Sequence, residues 1–314
     1  MQVLRDHLDR LPVTAATAVS IGVFDGVHLG HQHVLQQLRA EADRLGVMTA
    51  VVTFDTHPAL VLRPESAPRL LTSLQQKLEL LAANGVDVTY VVHFDRERAL
   101  TTAEEFVRDV FVGALRARAV VVGEDFHFGR DRDGNVERLR VWGAAAGFSV
   151  RGLELIRHMP GAPEPVTSTA VRRALAGGDV AAAAAMLGRP YEMRGTVVRG
   201  DGRGRAYGFP TANIDMAPHL AWPADAVYAG WYRRPSGDRY PCAINVGRRP
   251  TFVEHARSSV IEAHVLGIDE QLVGEDAGVS FVELLRSEQR FASVDALVAQ
   301  LTRDTAQAAA LLRS

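Results

Sequence analysis

The chain has 314 residues, 47% of them hydrophobic, enough to bury a core in each of two domains of ordinary size. Its 35 lysines and arginines against 37 aspartates and glutamates leave no overall basic field for nucleic acid or an acidic membrane surface, so a small-molecule substrate is the expectation. One cysteine, Cys242, excludes an internal disulfide and a thiolate zinc site and reads as a small apolar strand residue, and no apolar run approaches membrane-spanning length.

In chain order, the N-terminus carries Arg5, Asp6, Asp9 and Arg10 where a signal peptide needs an apolar stretch, so a cytoplasmic protein is expected. Ala18 to Phe24 is apolar and reads as a buried strand. A turn punctuated by Gly22, Gly26 and Gly30 follows, and His28 and His31 open a helix. Backbone N–H groups at a helix start are unpaired and partially positive, and two imidazoles three residues apart share one helix face. Residues 22 to 31 can therefore hold a phosphate chain. The plain alternative is a helix with histidines in its first turn, against which the strand and the glycines weigh.

Met48 to Phe54, Val88 to Phe94, Ala119 to Gly123 and Phe148 to Leu155 are further strands. Between them Leu35, Leu38, Ala42 and Leu45 repeat at helical spacing, as do Leu74, Leu78 and Leu81, and Thr102 with Glu105 makes a capping box ahead of Phe106 and Val110. Such alternation predicts an α/β fold, a parallel sheet with helices on both faces, whose ligands bind beyond the carboxyl ends of the strands. The loop Gly-Glu-Asp-Phe-His-Phe-Gly, 123 to 129, leaves on that same edge. Its Asp125 suits a ribose or base and Phe126 or Phe128 a flat ring, while a turn with two core phenylalanines explains the aromatics equally well. After a loop with Pro160, Pro163 and Pro165, Ser168 or Thr169 caps a helix, and Arg172 one turn later can reach phosphate oxygens. A second helix, Asp179 to Leu187, ends at Gly188, where a domain boundary fits.

Beyond Arg189 short strands dominate: Gly195 to Gly200, Ala226 to Tyr232, Tyr240 to Val246, Ser259 to Leu266 and Val279 to Leu285, with no helix between them. They predict a small antiparallel barrel or sandwich, and a closing helix from Ser293 to about Leu312 puts Leu297, Leu301, Ala308 and Leu312 on a covering stripe. Gly200, Gly202, Gly204 and Gly208 with Arg203 and Arg205 between them form a positively charged loop able to wrap phosphates. Pro210 then fixes a turn, and the Thr211 hydroxyl and Asn213 amide offer neutral oxygens that suit Mg²⁺ bound mainly through nucleotide phosphates.

The order HxGH at 28 to 31, G-x-D-F-x-F-G at 123 to 129 and S-T-x-x-R at 168 to 172 resembles the nucleotidylyltransferase half of bacterial bifunctional riboflavin kinase/FAD synthetases. Pro-Thr-Ala-Asn at 210 to 213, Asn-Val-Gly-Arg-Arg-Pro-Thr-Phe at 245 to 252 and Val-Ile-Glu-Ala-His-Val-Leu at 260 to 266 are similar to the riboflavin kinase half. The resemblance implies a Rossmann-like FMN adenylyltransferase domain over 1–187 and a riboflavin kinase β-barrel over 188–314. It also implies ATP, riboflavin, FMN, FAD and Mg²⁺ as the small molecules handled.

It further implies that His28 and His31, with Gly22, Phe24 and Gly30 around them, stabilise the phosphates during adenylyl transfer, while Ser168, Thr169 and Arg172 hold the departing pyrophosphate. Asp125, Phe126 and Phe128 are assigned to flavin or ribose. Gly204, Arg205, Gly208, Thr211 and Asn213 are assigned to ATP and its metal, with Glu262 the general base toward the ribityl 5′-hydroxyl. Read alone, Glu262 is a carboxylate on the solvent face of an apolar strand. The chain departs from the family at Val265-Leu266-Gly267 and Gln271-Leu272-Val273-Gly274, where Leu-Asp-Phe and Asp-Leu-Tyr-Gly are usual, which leaves a weakened kinase half as an alternative. The others are a nucleotidylyltransferase for another phosphate and a non-catalytic flavin sensor.

Overall fold

The apolar runs of the first half become the strands of one parallel sheet. The structure, a computed structural model, describes residues 1–6, 13–154, 165–248 and 259–313. Asp9, Arg10, Leu155, Pro160, Pro163 and the run 249–252 lie outside them. The chain divides into two units, Met1–Pro68 with Thr72–Met159, and Arg69–Leu71 with Pro160–Ser314.

In the first unit β1 (Gln2–Arg5), β2 (Thr17–Ile21), β3 (Met48–Phe54), β4 (Val88–Val92), β5 (Ala117–Gly123) and β6 (Ser149–Leu153) are ordered β1-β4-β3-β2-β5-β6, every neighbour parallel. Successive β2 residues face opposite sides: Val19 and Ile21 pack with Phe106, Phe111 and Leu139, whereas Ala18 packs with Leu35, Leu38 and Leu81. Helices therefore cover both faces, as the alternation predicts. The chain order reverses between β2 and β5, so the carboxyl end of β2 lies at the sheet's switch point, where such folds open a crevice.

The helix Leu29–Leu45 buries Leu35, Leu38 and Ala42 and stops at Gly46, whose left-handed backbone lets its N–H reach the Ala42 and Asp43 carbonyls. The capping box of Thr102 and Glu105 opens Ala103–Phe106, which continues as a π-helix over Val107–Ala114. Two expectations shift. Strand β2 ends at Ile21 rather than Phe24, because the chain turns at Gly22; and β1, at four residues too short to show a period, adds an edge strand beside β4.

In the second unit β7 (Tyr191–Val198), β8 (Ala212–Met216), β9 (Ala226–Arg233), β10 (Arg239–Arg248), β11 (Ser259–Val265) and β12 (Asp276–Ser287) close into an antiparallel barrel ordered β10-β11-β8-β7-β12-β9. Closure pairs every edge, which resolves barrel against sandwich. Strand β8 was not expected, since it follows the Pro210 turn without a break, and a short helix, Arg203–Ala206, stands where none was expected between strands. The helix Val294–Leu311, capped by Ser293, lays Ala308 and Leu312 on Ala229 and Ala243 of the barrel's outer face. Leu297 and Leu301 are only half-buried, and the deepest contact is polar: Asp304, 2% exposed, pairs with Arg286 at 2.8 Å. The helices Ser168–Ala176 and Val180–Leu187 belong to this second unit, and the first is capped by Thr167, whose hydroxyl accepts from the Ala170 N–H, rather than by Ser168 or Thr169.

Candidate functional site

Each unit holds one constellation. In the first, the turn after β2 carries three left-handed residues: Gly26, for which φ 81° is natural, and Phe24 and Val27, for which φ 51° and 39° are strained. Both strained side chains are buried, so apolar packing contributes to holding the conformation. Gly22 is needed by close approach, since a Cβ there would stand 3.3 Å from the Phe24 ring. Polar ties complete the turn. Gln32 Nε2 donates to the Val27 carbonyl at 2.9 Å, Gly26 N–H to Thr72 Oγ1 at 3.2 Å, and Thr72 N–H to the buried Asp25 carboxylate at 3.2 Å.

His28 is the N-cap of Leu29–Leu45, its Nδ1 accepting from the His31 N–H at 3.3 Å. An accepting Nδ1 puts the proton of a neutral ring on Nε2, which makes Nε2–H a donor. Gly30 sits in that first turn, and the His31 ring stacks on His28 with centroids 3.7 Å apart and lies 5.0 Å from Phe24. The pKa of His31 is well below the ordinary value, first through burial and then through the neighbouring His28 and Lys77 charges.

Lys77, which the sequence reading passed over, comes from Leu74–Ala83. The expected stripe Leu74, Leu78, Leu81 is rotated, so Gln76, Lys77 and Leu81 are the buried residues. Its Nζ donates to the Val23 carbonyl at 3.2 Å and the Phe54 carbonyl at 2.8 Å. On the 123–129 loop, Asp125 is exposed, Phe126 is half-buried and stacks on Phe128 at 5.3 Å, and Phe128 sits in the core beside Phe106 and Phe111. Ser168, half-buried, and Thr169, exposed, begin a helix of the second unit, and Arg172 Nε donates to the Arg69 carbonyl at 2.6 Å.

The second unit's constellation lies on the barrel. Asn213 of β8 is the direct partner of Glu262 on β11, which in turn is the partner of Asn245 on β10, so the three share one face of the sheet. Ile261 and Ala263, on either side of Glu262, are fully buried and face the other way. A cavity of about 360 Å³ is lined by Gly200, Gly202, Arg205, Thr211 and Asn213, and by residues 268–273 opposite them. Close contacts dictate two glycines: a Cβ on Gly200 would lie 2.2 Å from the Asn213 amide nitrogen, and one on Gly204 2.4 Å from the Phe209 carbonyl oxygen. Gly208 serves by conformation, with φ 84°.

His264, quoted only as part of a run, holds the Pro-Thr turn: its Nδ1 lies 2.8 Å from the Pro210 carbonyl oxygen and its ring 5.3 Å from Phe209. The divergent segment runs on from Val265, turns at Gly267 with φ 79°, and lines the cavity with Val265 and Val273. Arg234 ties that segment from behind through Glu270 at 2.9 Å and Glu275 at 2.5 Å. Among the described residues no group of three or more His, Cys, Asp or Glu could hold a metal ion, and no helix is long and apolar enough to cross a membrane.

Two family models match, one described as FAD synthetase over residues 12–169 and one as riboflavin kinase over residues 187–312. Among curated relatives, the bifunctional riboflavin kinase/FMN adenylyltransferase of Escherichia coli (strain K12) is 38% identical, covering 91% of this chain and 90% of the relative. That of Haemophilus influenzae is 36% identical over the whole of both chains. A solved Streptococcus pneumoniae structure, described as a macrolide-efflux protein, covers 97% of each chain with a TM-score of 0.86 at 28% identity.

Proposed function

The chain belongs to the bifunctional riboflavin kinase/FMN adenylyltransferase family, and we propose the residues that carry each of its two reactions. It phosphorylates riboflavin to FMN with ATP and adenylylates FMN to FAD, also with ATP. In the second reaction an FMN phosphate oxygen attacks the α-phosphorus of ATP, the bond to the β-phosphate breaks and pyrophosphate leaves. No proton has to be removed from carbon or nitrogen, so catalysis is chiefly stabilisation of phosphate charge. His28 and His31 supply it at the Gly22–Gly30 turn, the Nε2–H of His28 donating to phosphate oxygen. Ser168, Thr169 and Arg172 take the pyrophosphate, Asp125 and Phe126 contact flavin or ribose, and Phe128 backs them from the core. Residues 1–187 are assigned to this half, of which the helices Ser168–Ala176 and Val180–Leu187 fold within the second unit.

In the first reaction Glu262 takes the proton of the ribityl 5′-hydroxyl as that oxygen attacks the γ-phosphorus and ADP leaves. Gly204, Arg205 and Gly208 wrap the phosphates, and 188–314 form this half. Thr211 and Asn213 would hold Mg²⁺, both being hard neutral oxygen donors at one cavity of the kind that suits a cation carried by nucleotide phosphates. When bound, the ion neutralises charge on the transferring phosphates. The observation that carries this reading is Asn213, which lines the cavity and is the register partner of Glu262. Cytoplasmic operation belongs to the same proposal, supported by a lone, buried Cys242 thiol.

Chromatography of flavins made from supplied riboflavin or supplied FMN tests the roles. His28→Asn with His31→Gln abolishes FAD formation and spares FMN formation; loss of both products from that variant would refute the division of labour.

A further inference from the structure

Lysine is among the residues least often buried, yet Lys77 is 7% exposed on the face of its helix that also carries Leu81. A methionine would fill the space without the cost of desolvating an ion. What the charge contacts is specific. The Val23 and Phe54 carbonyls lie just past β2 and at the end of β3, neighbouring strands, where the ladder between them stops. Val23 immediately precedes strained Phe24, and Thr53 Oγ1 is a second donor to its carbonyl at 3.0 Å. The anionic groups acting on Lys77 are Asp25 in the turn and Asp55 after β3; Asp55 also meets His93, which Asp95 approaches at 3.9 Å. On the other side stand His31 and, stacked on it, His28.

We propose that Lys77 is a positioning residue for adenylyl transfer: its buried ammonium fastens the turn that carries His28 and His31 to the end of β3. Burial lowers the Lys77 pKa to about 8, with Asp25 and Asp55 resisting, so at neutral pH it is still a cation. Burial first, then the His28 charge and then that cation oppose protonation of His31 in the free enzyme, so His31 meets an incoming triphosphate as a neutral ring. The inference rests on the phosphate role proposed for His31.

Lys77→Met tests it, with Lys77→Arg as the charge-keeping variant. Three readouts apply: NMR titration of the His31 ring in the free enzyme, kcat and KM for FAD formation, and FMN formation as a control on the same chain. The expected result for Lys77→Met is a raised His31 midpoint. FAD-forming kcat should fall about 10- to 100-fold, with ATP KM little changed and FMN formation intact. The pH profile of kcat/KM should move with the His31 midpoint, and Lys77→Arg should return that midpoint toward wild type. An unmoved midpoint in a folded Lys77→Met protein overturns the proposal. Should that variant not fold, Lys77→Gln replaces it, keeping an amide donor for the two carbonyls and dropping the charge: a raised His31 midpoint is expected, and an unmoved one overturns the proposal. His31→Gln separates the two readings: full FAD formation by that variant defeats the phosphate role itself, whereas its loss beside an unaltered Lys77→Met defeats only the part given to Lys77.

Discussion

Replacing Gly200 by alanine should cripple FMN formation through one contact. A Cβ there would stand 2.2 Å from the Asn213 amide nitrogen, 2.6 Å from its Cγ and 2.8 Å from its Oδ1, where ordinary contact begins at 3.4 Å. The amide must retreat by about 1.2 Å, a displacement that for a substrate-positioning group costs on the order of 10²-fold in rate. Asn213 has little room to do so harmlessly, being 6% exposed and locked in register with Glu262. Gly200 is not in the left-handed region, so the substitution carries no backbone penalty of its own. Gly202 is the matched control: at φ 73° with nothing within 4 Å, alanine there strains the backbone by about 1 kcal/mol and touches nothing. Initial rates of FMN formation should therefore fall about 10²-fold for Gly200→Ala and only a few-fold for Gly202→Ala, with FAD formation from supplied FMN unchanged in both. A Gly202→Ala enzyme as damaged as Gly200→Ala would refute the contact argument and leave loop flexibility as the cause.

Glu262→Gln keeps the shape and removes the base, so FMN formation should drop about 10²- to 10⁴-fold while melting temperature and FAD formation from FMN hold. Arg234→Gln releases Glu270 of the segment 268–273, and Glu275 just after it, from the guanidinium, and flavin-phosphorylating KM should rise several-fold with kcat nearly kept, in steady-state kinetics. The pair His93–Asp55 sets a pH window. Burial alone would raise the Asp55 pKa, but hydrogen bonds from His93, Phe94 and Thr56 outweigh it and bring it below 3.8, while the bond to Asp55 raises His93 above 6.5. The Asp55 contribution is lost as pH falls through its lowered value, and that of His93 as pH rises through its raised value. The melting-temperature gap between wild type and His93→Asn should be widest between these limits and narrow on both flanks.

Elements with a strong period were legible: the Leu35, Leu38, Ala42 face, the β2 to β6 strands and the 102–105 capping box follow from spacing alone. So was the helix start that His28 caps, because glycines and caps are local devices. Tertiary effects were not. Lys77 stands inside a leucine stripe with no local signal of its own, and only the carbonyls at two strand ends make it an interior cation. Strand β1 shows no period because its neighbour β4 completes it, and β8 hides behind the Pro210 turn. The role of Gly200 could be suspected from the glycine run, but that it yields to Asn213 rather than to a ligand depends on strand pairing set far away in sequence.

Counting nucleotide sites probes the whole scheme at once. Isothermal titration of the full chain with a non-hydrolysable ATP analogue and Mg²⁺ should saturate at two equivalents per chain, one for each half. Saturation at a single equivalent would contradict two separate triphosphate pockets on this polypeptide.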